Sequence, residues 1–337
     1  MSSRTTIEAS AKGRSVQRDS APEHTSPVRP SGRQNALRRF AVAITALTLA
    51  GHGFLGFEQS PLQPLVALAT AYLMQLLLEW LYARAHGIRP RYLGGPGRLV
   101  DFLLPAHIAA LAIAMLLYFN DRLWVVAFAS SVAVASKTVL RIPCQGGSRH
   151  IFNPSNFGIS ATLLLFPSVG ITMPWQWTTE LSGAADWLLP VVIFCLGSML
   201  HLKHASRIWV VASFIVAFAT QAVIRSVVTD GNLLAMLAPM TGVPAMIFSF
   251  YMAPDPATSP SNRTRQILFG SSIAGVYMLL MFMHVVFALF YALTIVCFVR
   301  GVAIAAGWTF SDRSEVAAAD QLAGASSQSL TSQPAPA

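Results

Sequence analysis

The fold is decided by a polar stretch within an otherwise apolar chain, Gln145-Gly146-Gly147-Ser148-Arg149-His150-Ile151-Phe152-Asn153-Pro154-Ser155-Asn156-Phe157-Gly158. Asn153-Pro154 predicts a helix start, because asparagine caps free backbone N–H groups and proline suits the first helical position. This helix would run to about Phe166, too short to cross the roughly 30 Å hydrocarbon core. Irregular backbone at membrane depth must pack within protein or line a cavity. Two interpretations follow: a ligand-binding helix start, or an interfacial loop before a capped span.

The ligand-binding interpretation depends on charge. A helix N-terminus carries partial positive charge, so its open amides together with Arg149 could hold an anion or an electron-rich ring.

Composition places the chain among multi-pass membrane proteins. Of its 337 residues 54% are hydrophobic and only 11% are charged, with a mean hydropathy of +0.55. Membrane lipid is therefore its expected environment. The net charge of +9 comes mainly from tails and short loops, which indicates membrane topology and no nucleic-acid partner. The three cysteines form no C-x-x-C pair, so they predict neither a zinc nor an iron–sulfur site from this chain alone.

Hydropathy divides the chain into a disordered basic cytoplasmic tail (1–35), a transmembrane domain (36–308) and a disordered Ala/Ser/Gln-rich C-terminal tail (309–337). The pattern predicts an all-α polytopic membrane protein with about ten transmembrane helices, some of them broken or re-entrant. The predicted spans are Phe40–Phe57, Leu62–Tyr82, Leu99–Phe119, Leu123–Leu140, Ile151–Phe166, Trp187–Leu202, Ile208–Val228, Leu233–Met252 and two within Gln266–Trp308. All Lys/Arg-rich loops then share one side, which places both termini in the cytoplasm.

A second proline-marked segment lies late in the chain, Met252-Ala253-Pro254-Asp255-Pro256-Ala257-Thr258. Asp255 is predicted to cap a helix that begins at Pro256, as Asn153 and Pro154 do. Upstream, Pro239-Met240-Thr241-Gly242-Val243-Pro244 interrupts the predicted span Leu233–Met252. Paired interruptions indicate a binding site and are compatible with a five-plus-five repeat. However, both motifs fall on the cytoplasmic side, whereas a strict inverted repeat would place them on opposite sides.

The single ionisable residues near the predicted spans are interpreted as having structural and not functional roles. Glu79, Asp101 and Lys137 lie near span ends, where snorkelling explains them more readily than function does. The histidines His52, His107 and His284 lack ligand-type spacing and are interpreted as packing residues. The sequence contains no hydrolase triad, P-loop or G-x-G-x-x-G motif.

The two motifs resemble those of the integral-membrane B- and D-type subunits of the sodium-translocating NADH:quinone reductase and Rnf electron-transport complexes. The resemblance rests on Gly146-Gly147, on Phe152-Asn153-Pro154 and on Asp255-Pro256-Ala257-Thr258, with Lys137 upstream. The segment Arg149–Gly158 is most similar to the stand-alone branch of this family described as enediyne-biosynthesis (UnbU-type) proteins. The similarity extends over roughly residues 36–308.

This resemblance implies a ten-span bundle that binds flavin and passes electrons, with ion movement as a coupled process. The residues predicted to contact the cofactor are Lys137, Gly146, Gly147, Arg149, Asn153, Ser155, Asn156, Thr241, Asp255 and Thr258. The family attaches FMN through a phosphoester to a threonine in a Ser-Gly-Ala-Thr-type motif, but Ser182-Gly183-Ala184 is followed here by Ala185. Without that hydroxyl, a noncovalent flavin (FMN or riboflavin) is expected; Thr178 and Thr179 are alternative acceptors.

Three functions remain open at this point. The first is a redox subunit that holds a flavin or quinone and is at most the electron-transfer part of an oxidoreductase complex. It would need partner redox subunits, because the sequence contains no nucleotide-binding domain for NADH oxidation. The second is a transporter or channel whose broken helices line a substrate path. The third is a scaffold subunit without cofactor chemistry, which would serve a biosynthetic or electron-transfer assembly.

Overall fold

The computed structural model describes residues 32–144, 147–200 and 207–306. The predicted tail 309–337 lies outside these residues, as do residues 1–31 of the N-terminal tail and Gly146 of the first motif. Residues 32–35 already belong to the first helix.

The described chain is a bundle of helices with two short pairs of strands. Its α-helices are α1 (Gly32–Ala50), α2 (Leu62–His86), α3 (Pro96–Leu116), α4 (Leu123–Val139), α5 (Pro154–Leu165), α6 (Leu188–Leu200), α7 (Ile208–Thr229), α8 (Leu233–Leu237), α9 (Val243–Ile247), α10 (Arg263–Phe282) and α11 (Ala288–Ala305). Its strands are β1 (Leu117–Tyr118), β2 (Arg141–Cys144), β3 (Gly147–His150) and β4 (Gly170–Ile171). β1 pairs with β4, and β2 pairs with β3, both antiparallel.

Five of these helices are long and apolar enough to cross a membrane: α2, α3, α7, α10 and α11. A sixth candidate is the segment Leu233–Met252, which is broken at Gly242 and bent by 65°. The predicted interruption of this span is therefore confirmed. α5 has only 12 residues, or about 18 Å of helix at 1.5 Å per residue. The described residues thus form an all-α membrane protein with five or six candidate full-length spans, fewer than the ten predicted.

The connections divide the bundle into two ends. The end that carries the β2–β3 pair is called the hairpin end, and the end that carries the β1–β4 pair is called the ribbon end. Basic side chains concentrate at the hairpin end: Arg38, Arg39, Arg84, Arg89, Arg91, Arg98, Lys137, Arg141, Arg149, Arg207, Arg263, Arg265 and Arg300. Arg122 and Arg225 lie at the ribbon end, beside acidic residues such as Asp121 and Asp230. The molecule is therefore electrically asymmetric along its helix axes.

Two glycines allow neighbouring helices to pack backbone against backbone. A Cβ at Gly158 in α5 would lie 2.7 Å from the carbonyl oxygen of Ala129 and 2.9 Å from the Cβ of Ala133, both in α4. A Cβ at Gly270 in α10 would lie 2.5 Å from the carbonyl oxygen of Val210 in α7. Both helix pairs therefore approach at distances that only glycine permits.

The ribbon-end loop between α5 and α6 folds back into the bundle. Trp177 is only 1% exposed, and its ring packs edge-on against Phe57 at 5.0 Å between centroids. Thr172 is buried, and its backbone N–H donates to the carbonyl of Leu116 at 2.9 Å. The loop thus occupies the space beyond the short helix α5. This is expected, because irregular backbone at membrane depth must pack against protein.

Candidate functional site

The first motif forms the predicted helix start. The Oδ1 atom of Asn153 accepts hydrogen bonds from the backbone N–H of Asn156 at 3.0 Å and from the hydroxyl of Ser155 at 2.8 Å. Pro154 occupies the first position of α5. All three polar residues are buried. The capping role of Asn153 is therefore confirmed, and its Oδ1 is engaged within its own helix.

The second motif does not start a helix at Pro256, so that prediction is wrong. Residues 253–262 form turns, and α10 begins only at Arg263, where Asn262 is the cap. The carboxylate of Asp255 instead accepts hydrogen bonds from the backbone N–H of Ala257 at 3.1 Å and from the hydroxyl of Thr258 at 3.2 Å. Aspartate often closes such a turn, because its side chain satisfies the backbone two residues on.

The two motifs meet although about a hundred residues separate them. The Nδ2 atom of Asn153 lies 3.5 Å from Oδ2 of Asp255 and 3.4 Å from the carbonyl oxygen of Met252. Arg149 donates from Nη2 to the carbonyl of Ala257 at 2.6 Å. This set of contacts, called the motif junction, joins the start of α5 to the turn before α10.

Basic side chains hold the turn in place. Besides Arg149, Arg300 of α11 donates to the carbonyl of Thr258 at 3.0 Å, and Arg207 donates to the carbonyl of Pro260. Thr258 and Arg207 are buried. The guanidinium groups thus satisfy carbonyl oxygens of a turn that has no helix or strand partner.

Asn156 lies one turn into α5 and contacts α11. Its Nδ2 donates to the carbonyl of Phe290 at 3.0 Å and to the hydroxyl of Thr294 at 2.9 Å. The side chain is 2% exposed, and its Oδ1 has no hydrogen-bond partner within the part of the chain that the structure describes. An acceptor is therefore available beside the motif junction.

The remaining predicted residues of the first motif lie around the hairpin. Lys137 is in the last turn of α4, where its carbonyl accepts from Arg141 at 3.2 Å. Gly147 pairs with Cys144 in the β2–β3 register. This hairpin is not evident from the sequence, and it brings His150 back beside Arg141.

The hairpin places His150 among cations and partly buries it. Burial is the main cause that lowers the pKa of His150 to about 4; the Asp255 carboxylate opposes this effect, and Lys137, Arg141 and Arg149 add to it. Below pH 6.5 the unfolded chain binds a proton at His150, whereas His150 of the folded chain stays neutral until the pH approaches 4. The contribution of neutral His150 to stability is therefore lost as the pH falls from about 6.5 to about 4.

We expect wild-type protein in detergent to lose up to about 2 kcal/mol of unfolding free energy at this residue between pH 7 and pH 5. The variant His150→Gln cannot titrate there, so its loss over the same interval is expected to be smaller by that amount. Thermal unfolding of both proteins at pH 7 and pH 5 measures the difference. Equal pH dependence in the two proteins would contradict the assignment.

Thr241 does not join the motif junction. It lies beside the bend at Gly242 and lines a cavity of about 530 Å³ at the ribbon end. Other lining residues are Trp175, Trp187, Thr178, Thr179 and Asp186. Thr178 is buried, and its hydroxyl donates to the carboxylate of Asp186 at 3.3 Å. The sequence does not predict this cavity, because its walls come from the α5–α6 loop and the broken span, which are far apart in the chain.

The isolated ionisable residues have structural partners. Asp101 forms a two-pronged ion pair with Arg38, and His107 lies between the hydroxyls of Thr45 and Tyr72. Glu79 does not snorkel as predicted, because it is buried and bound by Arg91. No group of three metal-ligating side chains is found in the described ranges.

No protein-family model matches this chain, and no curated protein matches it. Its multi-pass membrane character therefore rests on the apolar helices themselves.

Proposed function

We propose that this chain crosses a bacterial cytoplasmic membrane about ten times, with the hairpin end and both termini in the cytoplasm. The excess of arginines at the hairpin end supports this orientation, because positive residues are retained on the cytoplasmic side. Helices α1, α4 and α6 would then serve as additional spans, and α5 together with the ribbon-end loop beyond it would complete the tenth. A five-plus-five repeat is part of this proposal.

We propose further that the chain is a flavin-binding electron-transfer subunit related to the B- and D-type subunits named above. The observation that carries this proposal is the motif junction: the two motifs on which the resemblance rests are in contact, 3.5 Å apart at Asn153 and Asp255. The flavin would accept and release electrons, while this chain would fix its position and its electrostatic surroundings. Partner redox subunits would supply and remove the electrons, for example in a biosynthetic pathway.

The ribbon-end cavity offers room for the flavin. Its volume of about 530 Å³ lies within the 300–1,000 Å³ that is usual for small-molecule sites. Trp175 and Trp187 provide aromatic faces for stacking against a planar ring, and Thr241 provides a hydroxyl. By contrast, most polar groups at the motif junction bind one another. We therefore assign the flavin to this cavity and a supporting role to the junction, which anchors the far end of the broken span at Met252.

The charges of the cavity favour riboflavin over FMN. Asp186 is its one charged lining residue among those described, and a carboxylate would repel the phosphate of FMN. Ala185 provides no hydroxyl for a phosphoester, and the hydroxyl of Thr178 is directed to Asp186. These features support a neutral flavin that is held without a covalent bond.

The absorbance spectrum of detergent-purified protein, recorded before and after acid precipitation, tests this proposal. We expect flavin bands that leave with the acid supernatant. Bands that remain in the pellet would overturn the noncovalent assignment. Protein that contains no flavin, and that binds no added riboflavin, would overturn the redox proposal.

Substitutions in the cavity and at the motif junction test which of the two sites binds the flavin. Because aromatic stacking contributes about 0.5–1.5 kcal/mol, Trp187→Leu is expected to weaken riboflavin binding about three- to tenfold. Trp124→Leu is the matched control, since Trp124 is a similarly exposed tryptophan at the ribbon end outside the cavity. Titration of riboflavin fluorescence measures both. If Asn153→Leu abolishes binding in folded protein while Trp187→Leu has no effect, the flavin lies at the motif junction instead.

A transporter is the second candidate, and the 65° bend at Gly242 is the observation that favours it. Broken helices often line substrate sites in transporters, and this break faces the same cavity. A scaffold without cofactor is the third. Uptake of a solute into proteoliposomes by flavin-free protein would support transport.

A further inference from the structure

The hairpin end of α2 lies at the depth of the lipid headgroups. This helix has 25 residues, or about 37 Å of length, and is longer than the roughly 30 Å hydrocarbon core. Trp80 and Tyr82, in its last two turns, are both exposed. Exposed tryptophan and tyrosine side chains at the end of a span are typical of the membrane–water interface.

The loop that joins α2 to α3, residues 87–95, folds back beside these helix ends. The backbone N–H of Arg91 donates to Oε1 of Glu79 at 2.8 Å, and Glu79 precedes the last residue of α2 by about 10 Å of helix. On the other side, the rings of Tyr92 and Phe102 lie 5.9 Å apart between centroids, with Phe102 in the second turn of α3. The α2–α3 loop is therefore held against the ends of both spans and does not extend away from them.

Three arginines of this region carry charge that the described chain does not neutralise. Arg84 lies in the last turn of α2, Arg89 in the loop and Arg98 in the first turn of α3, and all three are exposed. Their guanidinium groups form no ion pair with any residue that the structure describes. The carboxylates of α2 and α3, Glu79 and Asp101, are already bound by other arginines. The loop therefore presents three positive charges to its surroundings.

Apolar side chains are exposed beside these arginines. Ile88 is 50% exposed and Leu93 is 40% exposed, on either side of Arg89 in the chain. At a membrane surface, such side chains enter the boundary between headgroups and acyl chains, while basic side chains attract anionic lipids. A free phosphate ion would satisfy the arginines but leave both apolar side chains in water. The combination therefore favours a lipid over a soluble anion.

We propose that the α2–α3 loop binds anionic phospholipids of the surrounding bilayer. Arg84, Arg89 and Arg98 contact the phosphates, and Ile88 and Leu93 enter the acyl boundary. A zwitterionic headgroup would bring its ammonium group among the arginines, whereas an anionic headgroup supplies net negative charge alone. The inference is independent of flavin binding, because no residue of this loop lines the ribbon-end cavity.

The test uses the full chain in phosphatidylcholine nanodiscs. These contain the same minor fraction of either brominated phosphatidylglycerol, which is anionic, or brominated phosphatidylcholine. Bromine quenches a nearby tryptophan, and Trp80 lies one turn before Arg84 on the same face of α2. The difference in fluorescence between wild-type protein and Trp80→Phe isolates its signal. We expect the anionic lipid to be enriched about fivefold beside Trp80, the preference that one guanidinium at an anionic surface provides. Added inorganic phosphate, at constant ionic strength, should leave this enrichment unchanged.

Substitutions assign the lipid to the loop. Arg84→Gln/Arg89→Gln should reduce the enrichment to about twofold or less, whereas Arg84→Lys/Arg89→Lys, which keeps the charge, should retain it. Arg263→Gln/Arg265→Gln is the matched control, because it removes the same charge at the hairpin end but outside this loop.

The glutamine variant should keep the wild-type thermal midpoint in pure phosphatidylcholine, since the two guanidinium groups have no partner in the described chain. Four outcomes would each overturn the proposal. They are equal quenching by both brominated lipids, displacement of the anionic lipid by inorganic phosphate, an equal loss of enrichment in the control variant, and a lowered midpoint of Arg84→Gln/Arg89→Gln.

Discussion

Gly270→Val is expected to prevent stable folding, whereas the same substitution five residues later, Gly275→Val, leaves the fold intact. A Cβ at Gly270 would lie 2.5 Å from the carbonyl oxygen of Val210 and 3.0 Å from the backbone nitrogen of Phe214, and it would also meet the hydroxyl of Ser213. Backbone atoms of α7 cannot rotate away as a flexible side chain can. The whole helix must move, and α7 would separate from α10 along its length.

The expected loss for Gly270→Val is about 3 kcal/mol or more, the upper part of the range for overpacked cores. Gly275 has open space at its Cβ, and valine is a better helix former than glycine, so Gly275→Val should be neutral or slightly stabilising. Gel filtration and thermal unfolding in detergent measure both variants. If the two variants lose stability equally, the contact with α7 is not the cause, and the described packing is wrong.

Arg91→Ala is expected to destabilise the protein by about 2 kcal/mol, less than for a fully buried pair, because the Arg91 side chain is 72% exposed and water can replace part of it. Glu79 lies within the apolar helix α2 and is 4% exposed. Arg91 donates to Oε2 from Nη2 at 2.6 Å and to both carboxylate oxygens from Nε at 3.0 Å, and its backbone N–H donates to Oε1 at 2.8 Å. Removal of the side chain leaves a buried carboxylate with a single backbone donor, which is far more costly than loss of the whole pair.

The double variant Glu79→Leu/Arg91→Ala should therefore recover most of the lost stability. Arg38→Ala is the matched control, because its carboxylate partner Asp101 is 22% exposed, whereas the side chain of Glu79 is 2% exposed. Arg38→Ala is expected to lower the free energy of unfolding by less than about 1 kcal/mol. Thermal unfolding at pH 7 measures the stability of the single variants Arg91→Ala and Arg38→Ala and of the double variant. A double variant that is less stable than Arg91→Ala would disprove the argument from the unpaired charge.

The sequence predicted those features that local chemistry determines. Asn153-Pro154 caps and starts α5, and the prolines around Gly242 break their span, because capping and the missing N–H of proline act over a few residues. The same local rule failed at Asp255-Pro256, where contacts from Arg149 and Arg300 stabilise a turn in place of a helix. Tertiary contacts there outweigh the helix-start signal.

Distant contacts escaped prediction for the same reason. Nothing in the neighbouring residues distinguishes Gly270, which touches α7, from Gly275, which faces open space. Glu79 was predicted to snorkel because its partner Arg91 lies in a loop whose path the sequence does not specify. The cavity around Thr241 likewise requires two segments that meet only after the bundle has formed.

The ribbon-end loop, which buries Thr172, Gln176 and Trp177, has a consequence for biogenesis. In the proposed orientation, with the ribbon end outside, the loop must be translocated before it packs, because its irregular backbone would be unsatisfied in lipid. Trp177 can reach its place beside Phe57 only afterwards, when the surrounding spans have assembled. Its fluorescence should therefore report a late maturation step: solvent-quenched in a newly inserted chain, and shielded once the loop has returned.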